Sequence, residues 1–185
     1  MKKLLLAAAF LLPFIVKAQS GPYGYKVEDK YLYYGNVLQV DTSFTVSDLY
    51  KDAKLFITKM ALTNYKVTTD DTTGGIVAID VEEKASYKTQ TGLGSDQPMT
   101  LKYTIKIEAK KGRYRYTINN ILITFKDKDE NDKETVHSLY ELDQDKGGGL
   151  LGIGQSKRVI KAMDELFASK INLLIKTMSK RSDDF

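Results

Sequence analysis

An α+β domain, built as a curved antiparallel sheet of five to six strands with two helices packed on one face, is the fold this sequence predicts. Three observations predict it. The middle of the chain alternates apolar and polar residues with a period of two, and the stretches on either side of it repeat at helical spacing. The elements follow the order strand, helix, four or five strands, long helix. The length of 185 residues, with 42% hydrophobic and 28% charged residues, suits one globular domain.

The chain opens on an export signal. Lys2 and Lys3 precede an apolar stretch from Leu4 to Val16, broken only by Pro13. Val16-Lys17-Ala18 then sets small or β-branched residues at the −3 and −1 positions of a signal-peptidase site. Residues 1–18 therefore read as a signal peptide, with Gln19 as the mature N-terminus and the periplasm or the exterior as destination. A spanning helix needs about 20 apolar residues. This stretch is shorter and no later one comes near, so no transmembrane segment is expected after cleavage. Losing Lys2, Lys3 and Lys17 leaves 25 of the 28 basic residues against 24 acids, so the net charge falls from +4 to +1. The remaining charges alternate in sign, and a nucleic-acid partner is not expected.

Residues 19–35 form a Tyr-rich N-terminal arm carrying Tyr23, Tyr25, Tyr31, Tyr33 and Tyr34, and residues 36–180 form the single domain. Asn36 to Asp41 reads as a strand through Val37, Leu38 and Val40. Thr45 and Asp48 have the spacing of a capping box, with Ser47 an equally good N-cap. They open a helix whose buried face is Leu49, Ala53, Phe56, Ile57 and Met60. Tyr65–Thr69 and Ile76–Tyr87 are strands about the turn 70–75, and Thr89 to Pro98 has the composition of a loop. Leu101, Tyr103, Ile105 and Ile107 alternate with Lys102, Thr104, Lys106 and Glu108, the pattern of a half-buried strand. Lys110-Lys111-Gly112 turns into Tyr114, Tyr116 and Ile118. At Asn119-Asn120 the alternation changes phase, since Ile121, Ile123 and Phe125 carry the apolar side beyond it. A bulge there restores the inward face. Asp127–Lys133 is a charged turn, Glu134–Leu142 a further strand, and Asp143–Gly154 a glycine-rich connection. A helix of roughly 24 residues from Ser156 to Ser179, about 36 Å long, presents a wide apolar stripe including Phe167 and Leu174, suited to lie across the sheet.

Sequence motifs offer little chemistry. The absence of Cys excludes disulfides, thiolate ligands and Cys nucleophiles, and the single His137 leaves no basis for a His-centred site. Gly147 to Gly152 satisfies G-x-G-x-x-G, but no strand follows the last helix to carry the ribose-binding acid. Gly149 to Ser156 approaches a phosphate loop with Gln155 in place of its lysine. Asp127 to Asp132 resembles the start of a calcium loop but lacks its glycine, and Ser138 stands where the bidentate Glu belongs. Glu82 and Glu83 are strand neighbours and point to opposite faces. No catalytic residue, cofactor or metal is therefore expected.

The order of elements resembles a family of exported bacterial proteins, a domain of unknown function with a TATA-binding-protein-like (TBP-like) fold. The resemblance rests on Val37–Val40, Ser47-Asp48-Leu49-Tyr50, Gly74-Gly75-Ile76-Val77, Lys111-Gly112-Arg113-Tyr114-Arg115-Tyr116 and the closing helix, from about Asn36 to Met178. It implies a curved antiparallel sheet with two helices and supplies no catalytic residue. Its fold label does not imply DNA binding.

The expected function is a noncatalytic ligand- or protein-binding or structural module of the cell envelope. The concave sheet, or a cleft between sheet and long helix, would serve as its surface. An envelope protein or an apolar or carbohydrate ligand is the expected partner, and Tyr31, Tyr33, Tyr34, Tyr103, Tyr114 and Tyr116 are the candidate contacts. The alternatives are a carboxylate-based hydrolase of envelope polysaccharide, and a subunit docking through Tyr23–Tyr34 or a sheet edge. Export predicts that intact-mass measurement on the natively produced protein finds a chain beginning at Gln19. Recovery of the uncleaved chain from the cytoplasm is the contrary result.

Overall fold

The computed structural model describes residues 25–28, 30–89, 95–126, 134–146, 149–152 and 154–179. The leader, Tyr23, the calcium-like turn and Gly147-Gly148 lie outside them. The described elements are β1 (Lys26–Glu28), β2 (Tyr31–Gln39), α1 (Val46–Lys59), β3 (Tyr65–Asp71), β4 (Ile76–Lys88), β5 (Asp96–Lys110) and β6 (Arg113–Lys126), then β7 (Glu134–Ser138), α2 (Leu139–Gln144) and α3 (Gln155–Met178).

The alternating segments pair as their period requires. All strand pairs are antiparallel, in the order β1-β2-β6-β5-β4-β3, with β7 also on β6. Strand β6 has β5 along one edge and two shorter partners along the other. Strand β2 takes its first half, from Gln39↔Arg113 to Tyr34↔Ile118, and β7 takes its second, from Leu122↔Ser138 to Lys126↔Glu134. Residues 119–121 pair with neither.

The register of β5 and β6 shifts by one residue between Lys102↔Leu122 and Thr104↔Asn119, so the expected bulge is present. Asn120 takes a φ of 54°, the left-handed conformation that asparagine tolerates better than most residues. Ile118 and Ile121 are both buried in consequence, as the phase change in the sequence requires.

One face of the sheet is dry. Leu101, Tyr103, Ile105, Ile107 and Ala109 of β5 are buried with Val77, Ile79 and Val81 of β4 and Tyr114, Tyr116 and Ile118 of β6. Helices α1 and α3 pack against this face and against each other. Phe167 of α3 is 0% exposed and packs edge-on to Tyr103, with ring centroids 5.1 Å apart, and against Tyr34 at 4.9 Å. Beside it Lys170 Nζ reaches Glu83 Oε2 at 3.1 Å, and the Tyr103 hydroxyl donates to Glu83 Oε1 at 2.7 Å. Glu83 thus sits under the helix, whereas Glu82 faces the other way and meets Lys102. The cleft considered between sheet and long helix is filled by side chains; Leu174 is 2% exposed and Met163 0%.

Local signals fix the element ends. Thr45 caps α1, its hydroxyl accepting from the Asp48 amide while Asp48 accepts from the Thr45 amide. Gly75, at a φ of 68°, closes the β3–β4 turn where a Cβ would lie 2.5 Å from Val46 Cγ1.

Several boundaries differ from the sequence expectation, among them the start of β5 at Asp96, inside the expected loop Thr89 to Pro98, where pairing with β4 extends to Lys88. The first strand of the domain begins at Tyr31, inside the expected arm, because Tyr34 and Leu32 find apolar cover on the helix side. The strand expected over Glu134–Leu142 ends at Ser138. There the Ser138 hydroxyl and the Glu141 carboxylate form a second capping box and start α2. Among the described residues the sheet has seven strands, counting β1 and β7, and α2 adds a short third helix.

Truncating Phe167 to Ala removes the side chain that joins α3 to two strands. Urea unfolding should show a loss of about 3–5 kcal/mol, as for large buried aromatics generally.

Candidate functional site

Among the described residues the second face of the sheet carries no helix, and its composition is set by the polar phase of the same strands. Lys102, Thr104, Lys106 and Glu108 of β5 project there with Arg113, Arg115 and Thr117 of β6 and Asp80 and Glu82 of β4. Because Tyr34 faces α3, its neighbour Tyr33 faces this side, as does Tyr31 two residues earlier. A groove of about 640 Å³ lies here, with Tyr31, Tyr33 and Glu28 forming one wall. Lys106, Glu108, Arg115, Thr117, Asn119 and Asn120 complete the lining.

Its charges are paired. Arg115 donates to Glu108 Oε2 from both Nε and Nη2 at 2.6 Å, and Lys106 Nζ lies 3.1 Å from Glu108 Oε1. Burial raises the Glu108 carboxyl, but the hydrogen bonds from Lys106 and Arg115 outweigh it and hold the group below the usual glutamate range. The Tyr33 hydroxyl is raised by burial and by hydrogen-bonded Glu28. Further along, Thr104 donates to Asp80 at 2.7 Å and Asn120 Nδ2 donates to Thr104 at 3.3 Å. The buried Asn119 Oδ1 meets no donor among the described residues.

A smaller slot of about 220 Å³ opens where β2 and β7 leave β6 uncovered. It is lined by Leu32, Ile121 and Leu122 together with Leu139 and Tyr140, and it shares Tyr31 and Asn120 with the groove. The bulge at Asn120 stands between the two.

The six tyrosines of the sequence reading separate. Tyr31, 71% exposed, and half-buried Tyr33 line the groove. Tyr34, Tyr103, Tyr114 and Tyr116 are buried on the helix side. Burial raises all four hydroxyls, that of Tyr114 to about 12. The Tyr34 hydroxyl makes no well-aligned hydrogen bond among the described residues, and the neighbouring Asp164 carboxylate raises it further. Residues that sequence reasoning missed include Glu28, Glu108, Arg115 and Asn119. The alternation did show that the charged residues of each strand share a face. It could not show that β2 lies beside β6.

The phosphate-loop match is engaged in structure instead. Gln155 Oε1 accepts from the Tyr87 hydroxyl at 3.0 Å, and the buried Ser156 hydroxyl donates to Asp145 at 2.5 Å. Among the described residues no group of three or more His, Asp or Glu side chains is placed to hold a metal ion. No helix among them is long and apolar enough to cross a membrane.

The ion pairs carry a pH dependence. The Glu108 carboxyl titrates lower in the folded than in the unfolded protein, so its contribution is complete above the usual glutamate range and is lost as pH falls through the folded value. Glu108→Gln should be less stable than the parent at neutral pH, and the difference should close below about pH 4. Urea unfolding across that range measures it.

Comparison with known proteins places the fold. The family described as "Domain of unknown function (DUF4468) with TBP-like fold" matches residues 34–124. A DUF4468 family protein from Bacteroides ovatus ATCC 8483 superposes with a TM-score of 0.65 at 11% identity, covering 86% of this chain and 93% of that one. A TBP-like protein from Parabacteroides distasonis ATCC 8503 gives 0.60 at 14% identity, covering 80% and 95%. No curated protein matches. At these identities the likeness is one of fold.

Proposed function

The chain belongs through residues 34–124 to the DUF4468 family with a TBP-like fold, and from that premise we propose a noncatalytic binding module that uses the helix-free face of its sheet. The observation that carries this reading is the groove itself. It joins exposed aromatic surface at Tyr31 and Tyr33 to a row of donors and acceptors held by paired strands. Rigid strands position such groups at little entropic cost, which suits recognition. The packed helix side offers no comparable opening at Phe167 and Leu174, so the apolar cleft is not retained as the binding surface.

The electrostatics support binding over hydrolysis. A glycosidase needs one carboxyl kept protonated near neutrality beside a second that is ionised. In the groove Glu108 is driven the other way by Arg115 and Lys106. Among the described residues the carboxyls raised by burial are Asp52 and Asp164, and they lie on α1 and α3, away from the groove lining. The pairing of Lys106, Arg115 and Lys102 with Glu108 and Glu82 also argues against nucleic acid, which rewards unpaired cations. With the N-terminal signal, the module is proposed to act outside the cytoplasm.

Backbone amide NMR on the mature protein, titrated with glycan, peptide and lipid fractions of the native envelope, tests this. Saturable shifts at Tyr33, Thr117 and Asn119 are expected. Shifts confined to α1 and α3, or none with any fraction, would overturn the reading.

A further inference from the structure

We propose that the groove at the Asn119-Asn120 bulge is a subsite for a neutral oligosaccharide, an inference that rests on the helix-free face being the binding surface. Four observations converge on this ligand class. The charges of the lining are Glu28 and Glu108 against Lys106 and Arg115, two of each sign. Both cations are within 3.1 Å of Glu108, and with Glu28 the lining carries no net charge to attract an anionic ligand. A neutral ligand leaves these pairs intact.

Aromatic surface is available beside them. Tyr31 is 71% exposed, and Tyr33 stands two residues away on the same face of β2. A pyranose ring presents C–H bonds on its faces and hydroxyls around its rim, so it packs on a tyrosine ring while its hydroxyls remain free to bond. The groove supplies what the rim requires. Thr117 and Asn120 carry donor and acceptor atoms. Asn119 lines the same groove, and its Oδ1 meets no donor among the described residues. That oxygen is covered by its neighbours, so a ligand hydroxyl bonds it only where the Asn119 amide turns into the groove, and the amide gains a partner on doing so.

The volume of about 640 Å³ is within the range of small-ligand sites. The bulge explains why the polar atoms sit together. It places Asn119 and Asn120 side by side opposite the Tyr103–Thr104 step of β5, where a regular strand would turn alternate residues inward.

The test uses the mature protein with maltohexaose, cellohexaose, chitohexaose and mannohexaose as probes, read by amide NMR. Hexaglutamate and a neutral hexapeptide serve as controls. At least one hexasaccharide should shift Tyr33, Thr117 and Asn119 saturably, with an affinity unchanged between low and high salt. Tyr31→Ala, at an exposed position where folding is not at risk, should weaken that binding about tenfold, and Asn119→Ala comparably. If no hexasaccharide shifts the groove while an envelope fraction still does, the sugar assignment falls and the binding face stands. If neither does, both fall. Saccharide binding that survives both substitutions, or hexaglutamate binding more tightly, overturns the proposal.

Discussion

Phe167 is the contact on which the arrangement depends. Its ring meets Tyr103 in the centre of the sheet and Tyr34 near the edge, so one side chain of α3 fixes the helix over strands far apart in sequence. Tyr25 packs edge-on to Tyr34 in turn, and its hydroxyl donates to Asp143 in the last turn of α2. Aromatic contacts of this kind add about 0.5–1.5 kcal/mol each to the burial itself. Their geometric effect is larger than their energy. With Tyr34 committed to the helix side, the pleat of β2 leaves Tyr33 and Tyr31 no choice but the opposite side. The groove is thus specified by packing that takes place on the far side of the sheet.

The two faces divide the work. The inner face holds the fold through apolar burial, with Glu83, Tyr103 and Lys170 as a bonded polar inclusion. The outer face contributes little to stability, because exposed ion pairs are worth about 0–1 kcal/mol. What they supply is a weak net field over an ordered array of hydrogen-bonding groups. A fold label taken from a DNA-binding protein therefore carries over the strand arrangement and not the electrostatics. The free strand β3 is also guarded: it is bulged at Val67/Thr69 and carries Lys66, Asp70 and Asp71, features that discourage pairing with a further strand.

Local signals in the sequence were legible where one interaction decides the outcome. The Thr45–Asp48 cap, the alternation of β5, the phase change at Asn119-Asn120 and the stripe of α3 each have a short-range physical cause, and each is present as expected. Competition between two signals was less legible. Thr135, Val136 and His137 favour a strand, and only the reciprocal bonds of Ser138 and Glu141 decide that it stops there. The groove was least legible of all, since it exists only because β2 lies beside β6, a pairing between residues about 80 positions apart along the chain. Six tyrosines of equal promise in the sequence were sorted into core and surface by that same pairing.

The bulge at Asn120 also constrains how this chain can change its length. Up to Ile118 the residues of β6 with even numbers are buried, and from Ile121 the odd ones are. The strand therefore keeps two opposite parities joined at one residue. Removing one residue at the joint would straighten β6 and leave Ile121, Ile123 and Phe125 facing the core. Removing one residue beyond the joint, with the bulge kept, would turn the strand after that point inside out, exposing Phe125 and burying Lys126. A change of one residue in this strand is accordingly absorbed at the joint, and elsewhere its length drifts in even steps.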